Sequence, residues 1–185
     1  GPDYADKDIL SFRVFVPPFE SFICTVQPGI SKPETTVINN TDPKIAYKGD
    51  WTYNKKALVS FNRDEHFSAN KGDYAEFTFT GSEISFLGTK TDNLGYADIF
   101  LDGKKIYTVN GFEDRSKEPG IQTSAHSTKY LKDYLKYVVP EKQVLFSVSG
   151  LSKGTHTIKI LVTGTKQSEA SDCGVVIDAF ELTKH

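Results

Sequence analysis

The 185 residues contain no methionine, only two cysteines and a single tryptophan. Two cysteines cannot form a disulfide framework. A chain of this length buries roughly 70% of the surface its unfolded form exposes, so it needs neither disulfides nor a metal to hold a core. Excess charge of either sign is also missing: 22 Lys and Arg against 24 Asp and Glu leave a formal net charge of -2. Without a basic run to track phosphates, nucleic acid is not an expected partner. Apolar runs such as Val175-Val176-Ile177 fall far short of the roughly 20 residues that span a bilayer, so no membrane insertion is expected. The start at Gly1-Pro2 reads as the scar of a cleaved tag, and a leader trimmed with it would leave no trace, so the compartment is not decided here.

Helical periodicity is scarce as well, and most of the chain reads with period 2. Tyr74 to Phe79 alternates apolar and polar residues, as a half-buried strand does. The segments 83–87, 97–101, 105–109, 144–148, 156–162 and 175–182 read the same way. Turn signals separate them: Thr80-Gly81-Ser82, Asn93-Leu94-Gly95, Asp102-Gly103, Ser149-Gly150 and Lys153-Gly154. Asp102-Gly103 is the sharpest, because a two-residue type I′ turn needs positive φ at both central residues and Asp-Gly tolerates it. A hairpin is expected there. Short strands at about ten-residue spacing leave no room for parallel crossovers, so the fold class is all-β, an antiparallel β-sandwich.

Two regions break the rhythm. Within an insertion at 112–143, Tyr130, Leu131, Tyr134, Leu135 and Val138 fall on one helical face after a Ser127 cap and before Pro140, which predicts one short inserted helix. In residues 1–41 the strand-like stretches 9–16 and 22–26 are interrupted by Pro17-Pro18, Pro28 and Pro33. They form an extension, edge strand or linker ahead of a domain at 42–185.

The strings Asp42 to Trp51, Phe67-Ser68, Gly72 to Gly81, Ile84 to Gly88, the 95–103 hairpin, Leu145 to Leu151, Gly154 to Ile160 and Val176 to Phe180 resemble, in this order, the carbohydrate-binding-module-like jelly roll of the galactose-binding-like superfamily. Modules of that kind are appended to secreted bacterial glycoside hydrolases and surface proteins. The resemblance covers about three quarters of the chain. It implies a jelly roll whose loops at one end of the sandwich hold a sugar, in an extracellular or cell-surface setting. The 1–41 segment and the 112–143 insertion depart from it.

A sugar site needs an aromatic face for the apolar side of a pyranose and planar polar groups for its hydroxyls. Trp51, in a Gly- and Asp-rich stretch, and Tyr53 are the aromatic candidates; the alternative for Trp51 is a core or sheet-face ring. Loop 88–96 offers Lys90, Asp92, Asn93 and Tyr96, and loop 164–174, which leads into the last strand, offers Lys166 and Asp172; the alternative for each is a solvated turn. The resemblance also implies weighing a structural calcium, with Asp42 and Asp178 as candidate ligands, although the family's acidic first-strand motif is not clearly present. No other cofactor is indicated.

Catalysis has little support in the sequence. His66, His126, His156 and His185 sit in no nucleophile-elbow or zinc context, and Asp64-Glu65-His66 lacks the HExxH spacing that sets two ligands on one helix face. Cys24 and Cys173 are either two thiols or one disulfide, and Asn39-Asn40-Thr41 is an N-glycosylation sequon. The resulting expectation is a noncatalytic carbohydrate-binding module of a larger protein, whose partners are a poly- or oligosaccharide and neighbouring domains. The alternatives are a structural or protein-interaction module, or an ancillary domain of an attached hydrolase.

Overall fold

The computed structural model describes residues 14–16, 20–22, 34–57, 60–114 and 143–184. They belong to two units. In the N-terminal unit, within Gly1–Pro33, β1 (Val14–Val16) and β2 (Glu20–Phe22) pair antiparallel, with Val14 opposite Phe22.

The unit Glu34–Lys184 is an antiparallel sandwich. Its strands are β3 (Glu34–Asn39), β4 (Ile45–Lys48), β5 (Thr52–Asn54), β6 (Glu65–Ser68), β7 (Tyr74–Thr80), β8 (Glu83–Gly88), β9 (Tyr96–Leu101), β10 (Lys104–Asn110), β11 (Gln143–Val148), β12 (Thr155–Val162), β13 (Val175–Ile177) and β14 (Ala179–Lys184). A five-stranded sheet runs β10-β9-β12-β7-β4, a four-stranded sheet β11-β8-β14-β3, and a small third sheet β13-β6-β5. The unit opens at Glu34, ahead of the start at 42 read from the sequence, because β3 hydrogen-bonds along β14 with Glu34 opposite Lys184.

The alternation read from the sequence is the burial pattern of the strands. In β12, His156, Ile158, Ile160 and Val162 are buried and their neighbours are not. In β7 the buried set is Ala75, Phe77 and Phe79. These meet Ile84, Phe86, Phe180 and Leu182 from the four-stranded sheet in one core. Phe180 is 0% exposed and stacks on Phe77 with ring centroids 5.3 Å apart.

The segment expected as one strand over 175–182 is two. Asp178 ends β13, and there the chain passes from the small sheet into the four-stranded one. The Asp178 N–H donates to Leu87 O at 3.2 Å and its carbonyl accepts from the Asn40 N–H at 3.0 Å, so its backbone serves other partners than a continuous ladder.

The expected hairpin joins β9 to β10, with Asp102 at φ 50 and Gly103 at φ 80 and Leu101 opposite Lys104. The Asp102 carboxylate accepts the Thr157 N–H at 2.8 Å and meets His156 Nδ1 at 2.7 Å. His156 Nε2 lies 3.0 Å from Ser152 O. Both ring nitrogens face acceptors, and the arrangement suits the imidazolium. The Ser152 carbonyl and then Asp102 raise the His156 pKa, while the hydrogen bond from His156 and then the Thr157 N–H lower that of Asp102. The histidine's contribution is complete below its ordinary pKa and is lost as pH rises through the raised folded value. The carboxylate's is complete above its ordinary pKa and is lost as pH falls through the lowered one. Thermal midpoints should therefore decline modestly as pH rises above about 6.5, and His156→Gln should flatten that slope; a slope unchanged in the variant would refute the clamp.

The helix expected at 127–139, most of the 112–143 insertion, and Cys24 lie outside the described residues. Cys173 is a thiol whose Sγ–H donates to Ala69 O at 3.3 Å. No helix among the described residues is long and apolar enough to cross a membrane.

Candidate functional site

The aromatic candidates Trp51 and Tyr53 fall at the edge strand β5, where pairing with β6 sets Tyr53 directly opposite His66. The Tyr53 and His66 rings stack at 5.0 Å, and Tyr47 from β4 stacks on the same imidazole at 4.2 Å. Trp51 meets Tyr47 edge-on at 5.4 Å. Four rings thus form one cluster. Trp51 is only partly exposed and packs against the core, while Tyr53 is 39% exposed.

Asp64, just before β6, holds the cluster together. Its Oδ2 accepts the Tyr53 hydroxyl at 2.8 Å and its Oδ1 accepts Nδ2 of Asn40 at 2.6 Å and of Asn39 at 3.1 Å. Because Asn40 gives its amide hydrogen to Asp64, its Oδ1 is the atom that faces His66 Nδ1, 2.7 Å away. An oxygen there accepts, so Nδ1 carries the proton and Nε2 carries the lone pair of a neutral imidazole. Burial lowers the His66 pKa, with the Asp64 charge pulling it partly back. The hydrogen bond to Asp64 raises the Tyr53 pKa, and burial raises that of Tyr47. The acceptor nitrogen of the sequon, Asn39 Nδ2, is the one engaged by Asp64 and by Thr41 Oγ1.

The polar candidates come together separately. Loops 88–95 and 163–174 lie against each other: the Gly95 N–H donates to Gly174 O at 2.8 Å, Gly174 N–H to Asn93 O at 3.2 Å, and Ser171 N–H to Asp92 O at 2.7 Å. Tyr96 opens β9 and its N–H donates to Thr165 O at 2.9 Å. Several predicted ligand groups are spent on this loop structure. The Lys166 ammonium caps Ala170 O at 2.6 Å and Ser171 O at 3.0 Å, Asp172 Oδ1 accepts the Cys173 N–H at 2.8 Å, and Asn93 Oδ1 accepts the Thr91 hydroxyl. Lys90 is tied through its backbone N–H to Gln143 Oε1 at 3.1 Å. Phe67 on β6 lies against Gly174, and the Cys173 thiol reaches Ala69 just after that strand.

Of the calcium candidates, Asp42 Oδ1 accepts the Lys44 N–H at 2.8 Å, and Asp178, 1% exposed, accepts the Phe61 N–H on Oδ1 at 2.8 Å. Among the described residues no three His, Cys, Asp or Glu side chains gather as a cation site. Sequence reasoning does not single out Tyr47, Asp64 or His66 as ligand-binding residues. Their signal is the alternation of β5 and β6, which puts Tyr53 and His66 on one face, but only the pairing register shows that the two are opposite each other.

No family model matches the chain. Its similar curated proteins are enzymes of Flavonifractor plautii. An A type blood alpha-D-galactosamine galactosaminidase is 27% identical over 130 residues, which is 70% of this chain and 10% of that enzyme. An A type blood N-acetyl-alpha-D-galactosamine deacetylase is 23% identical over 124 residues, 67% of this chain and 13% of the enzyme. The chain thus spans about a tenth of the length of each. Among solved structures, a two-domain esterase active on acetylated mannans, co-crystallised with mannopentaose, matches 82% of this chain with 37% of its own at a TM-score of 0.54 and 12% identity, a likeness of fold.

Proposed function

We propose that Glu34–Lys184 is a noncatalytic carbohydrate-binding module of a larger extracellular or cell-surface protein. The observation that carries this is the ring cluster of Tyr47, Trp51, Tyr53 and His66 at a sheet edge, braced by Asp64 and with Tyr53 exposed. An exposed ring with adjoining hydrogen-bonding groups suits the two faces of a pyranose. The pattern of relatives supports the same reading. Two enzymes of different chemistry, a glycosidase and a deacetylase, share this segment as a small part of their length. A part common to two reactions is better suited to holding a shared kind of substrate than to performing either reaction.

Affinity is expected to be weak for a single site, since each sugar contact replaces hydrogen bonds to water of similar strength. In affinity electrophoresis and on a glycan array the chain should be retained by at least one glycan, and Tyr53→Ala should lower that retention by about tenfold or more, the scale of one lost aromatic contact. Retention by no glycan, or a Tyr53→Ala variant that binds as the parent does, would sink the proposal.

A second reading, docking on a neighbouring domain, draws on Ile106, Tyr107 and Val144, which are 39%, 53% and 53% exposed on β10 and β11. It would be favoured if Tyr107→Ser broke association with a domain of the parent protein while leaving glycan retention intact.

A further inference from the structure

The hydrogen-bond inventory of the ring cluster goes one step beyond sugar binding as such, to a selectivity that rests on the binding-module reading. Every ring donor is already engaged: Tyr47 O–H to Asn40 O at 2.8 Å, Trp51 Nε1–H to Lys48 O at 3.1 Å, Tyr53 O–H to Asp64 at 2.8 Å and His66 Nδ1–H to Asn40 Oδ1 at 2.7 Å. Among the rings and the amides that brace them, the groups left over are acceptors. The hydrogen bond that His66 makes among the described residues is through Nδ1, which leaves Nε2 as an acceptor, and Asn39 Oδ1 is buried without a donor. The Asp64 carboxylate adds negative charge beside them. We infer that the cluster takes its saccharide as a hydrogen-bond donor, chiefly to His66 Nε2, and so selects neutral and amino sugars over uronic or sulfated ones.

The chemistry is one-sided. A hydroxyl or an ammonium can give a proton to Nε2, whereas a carboxylate or sulfate brings only acceptors and like charge to a site that holds both already. An unmade bond and a repelled charge then act together against the wrong ligand. The Lys55 ammonium lies over the Tyr53 ring, 5.6 Å from its centroid, and makes no ion pair with Asp64 among the described residues. It therefore faces that ring's π cloud and leaves the Asp64 charge in place. Stacking with the Tyr47 and Tyr53 rings fixes the imidazole plane, so Nε2 has one direction in which to accept, and this makes His66 a specificity-determining residue.

Protonation of Nε2 would turn the acceptor into a donor, so binding of a hydroxyl or ammonium donor should weaken as pH falls through the lowered His66 pKa. The titratable and charged groups around it are Asp64 before β6, Glu65 on β6, Tyr53 on β5, Lys55 just after β5, Tyr47 on β4 and Asp178 after β13. Glu65 is held by Ser60 at 2.6 Å and by Asn54 at 3.3 Å.

The test uses the full chain and albumin conjugates bearing terminal galactose, galactosamine or galacturonate, with a parallel gluco series, titrated by biolayer interferometry at pH 7.5 and pH 5. The hexose and hexosamine conjugates should bind at least about tenfold tighter than the uronate at the higher pH, and that margin should shrink at the lower one. His66→Phe, which keeps a ring in the stack, should bring the three conjugates within about threefold of one another while the thermal midpoint shows the variant folded. A uronate bound as tightly as the hexosamine overturns this inference and leaves the binding module standing. Retention of no conjugate and of no glycan on the array overturns both. An unchanged order of the three conjugates in folded His66→Phe also overturns it.

Discussion

Phe180→Ala lowers the thermal midpoint by about 6 to 20 °C. The ring is 0% exposed, lies 5.3 Å from Phe77 and 5.9 Å from Phe86, and joins the four-stranded sheet to the five-stranded one. Truncating it removes transfer free energy and leaves a cavity that its two ring neighbours cannot fill, which costs about 3 to 5 kcal/mol. A domain of this size moves by roughly 2 to 4 °C per kcal/mol. Val144→Ala is the natural comparison: Val144 is 53% exposed on β11, and its truncation should change stability by no more than about 0.5 kcal/mol. Calorimetry on the two variants checks both, and a Phe180→Ala midpoint within a degree or two of the parent would mean that this ring is not the centre of the core.

The second large effect is expected at Gly95. A methyl group there would lie 2.5 Å from Thr165 O and 2.7 Å from Cys173 Cα, and these are backbone atoms that cannot swing aside as a side chain would. Gly95 also donates its N–H to Gly174 O at 2.8 Å and accepts the Gly111 N–H at 2.9 Å. Gly95→Ala therefore forces apart the two loops that carry the polar candidates. Overfilling packed structure costs about 1 to 3 kcal/mol, a drop of about 2 to 12 °C on the same scale. It should also release loop 163–174, where the Lys166 ammonium is folded back onto Ala170 and Ser171. Faster tryptic cleavage after Lys166 is the direct readout. A variant that melts like the parent and is cut no faster would show that the loops are held by other contacts.

Legibility in the sequence differs by region. The alternation in 74–79 and 156–162 and the turn at Asp102-Gly103 are legible because period 2 and positive φ are local properties of the chain, and β7, β12 and the β9–β10 hairpin follow them. The break at Asp178 is not, since it depends on partners at Leu87 and Asn40, distant in sequence. Similarly, β3 follows a proline-interrupted region and has no strong alternation of its own; its place is set by β14. The site shows the same division. Trp51 and Tyr53 stand out as residue types, whereas Tyr47, Asp64 and His66 become partners only through the stacking and hydrogen bonds that come with folding. Lys166 and Asp172, polar and exposed by sequence, turn out to stitch their own loop.

The pairing of β3 with β14 has a mechanical consequence. Glu34 and Lys184 are opposite each other in antiparallel strands, so tension applied through these two residues pulls across the ladder rather than along it. Inter-strand hydrogen bonds lie perpendicular to the strands, and under such a load they break singly and in order, like the teeth of a zipper, instead of shearing together. The sandwich should therefore begin to open at low force from this one corner, and β3 should peel away before β12 or β7, at the centre of the other sheet, bears any strain.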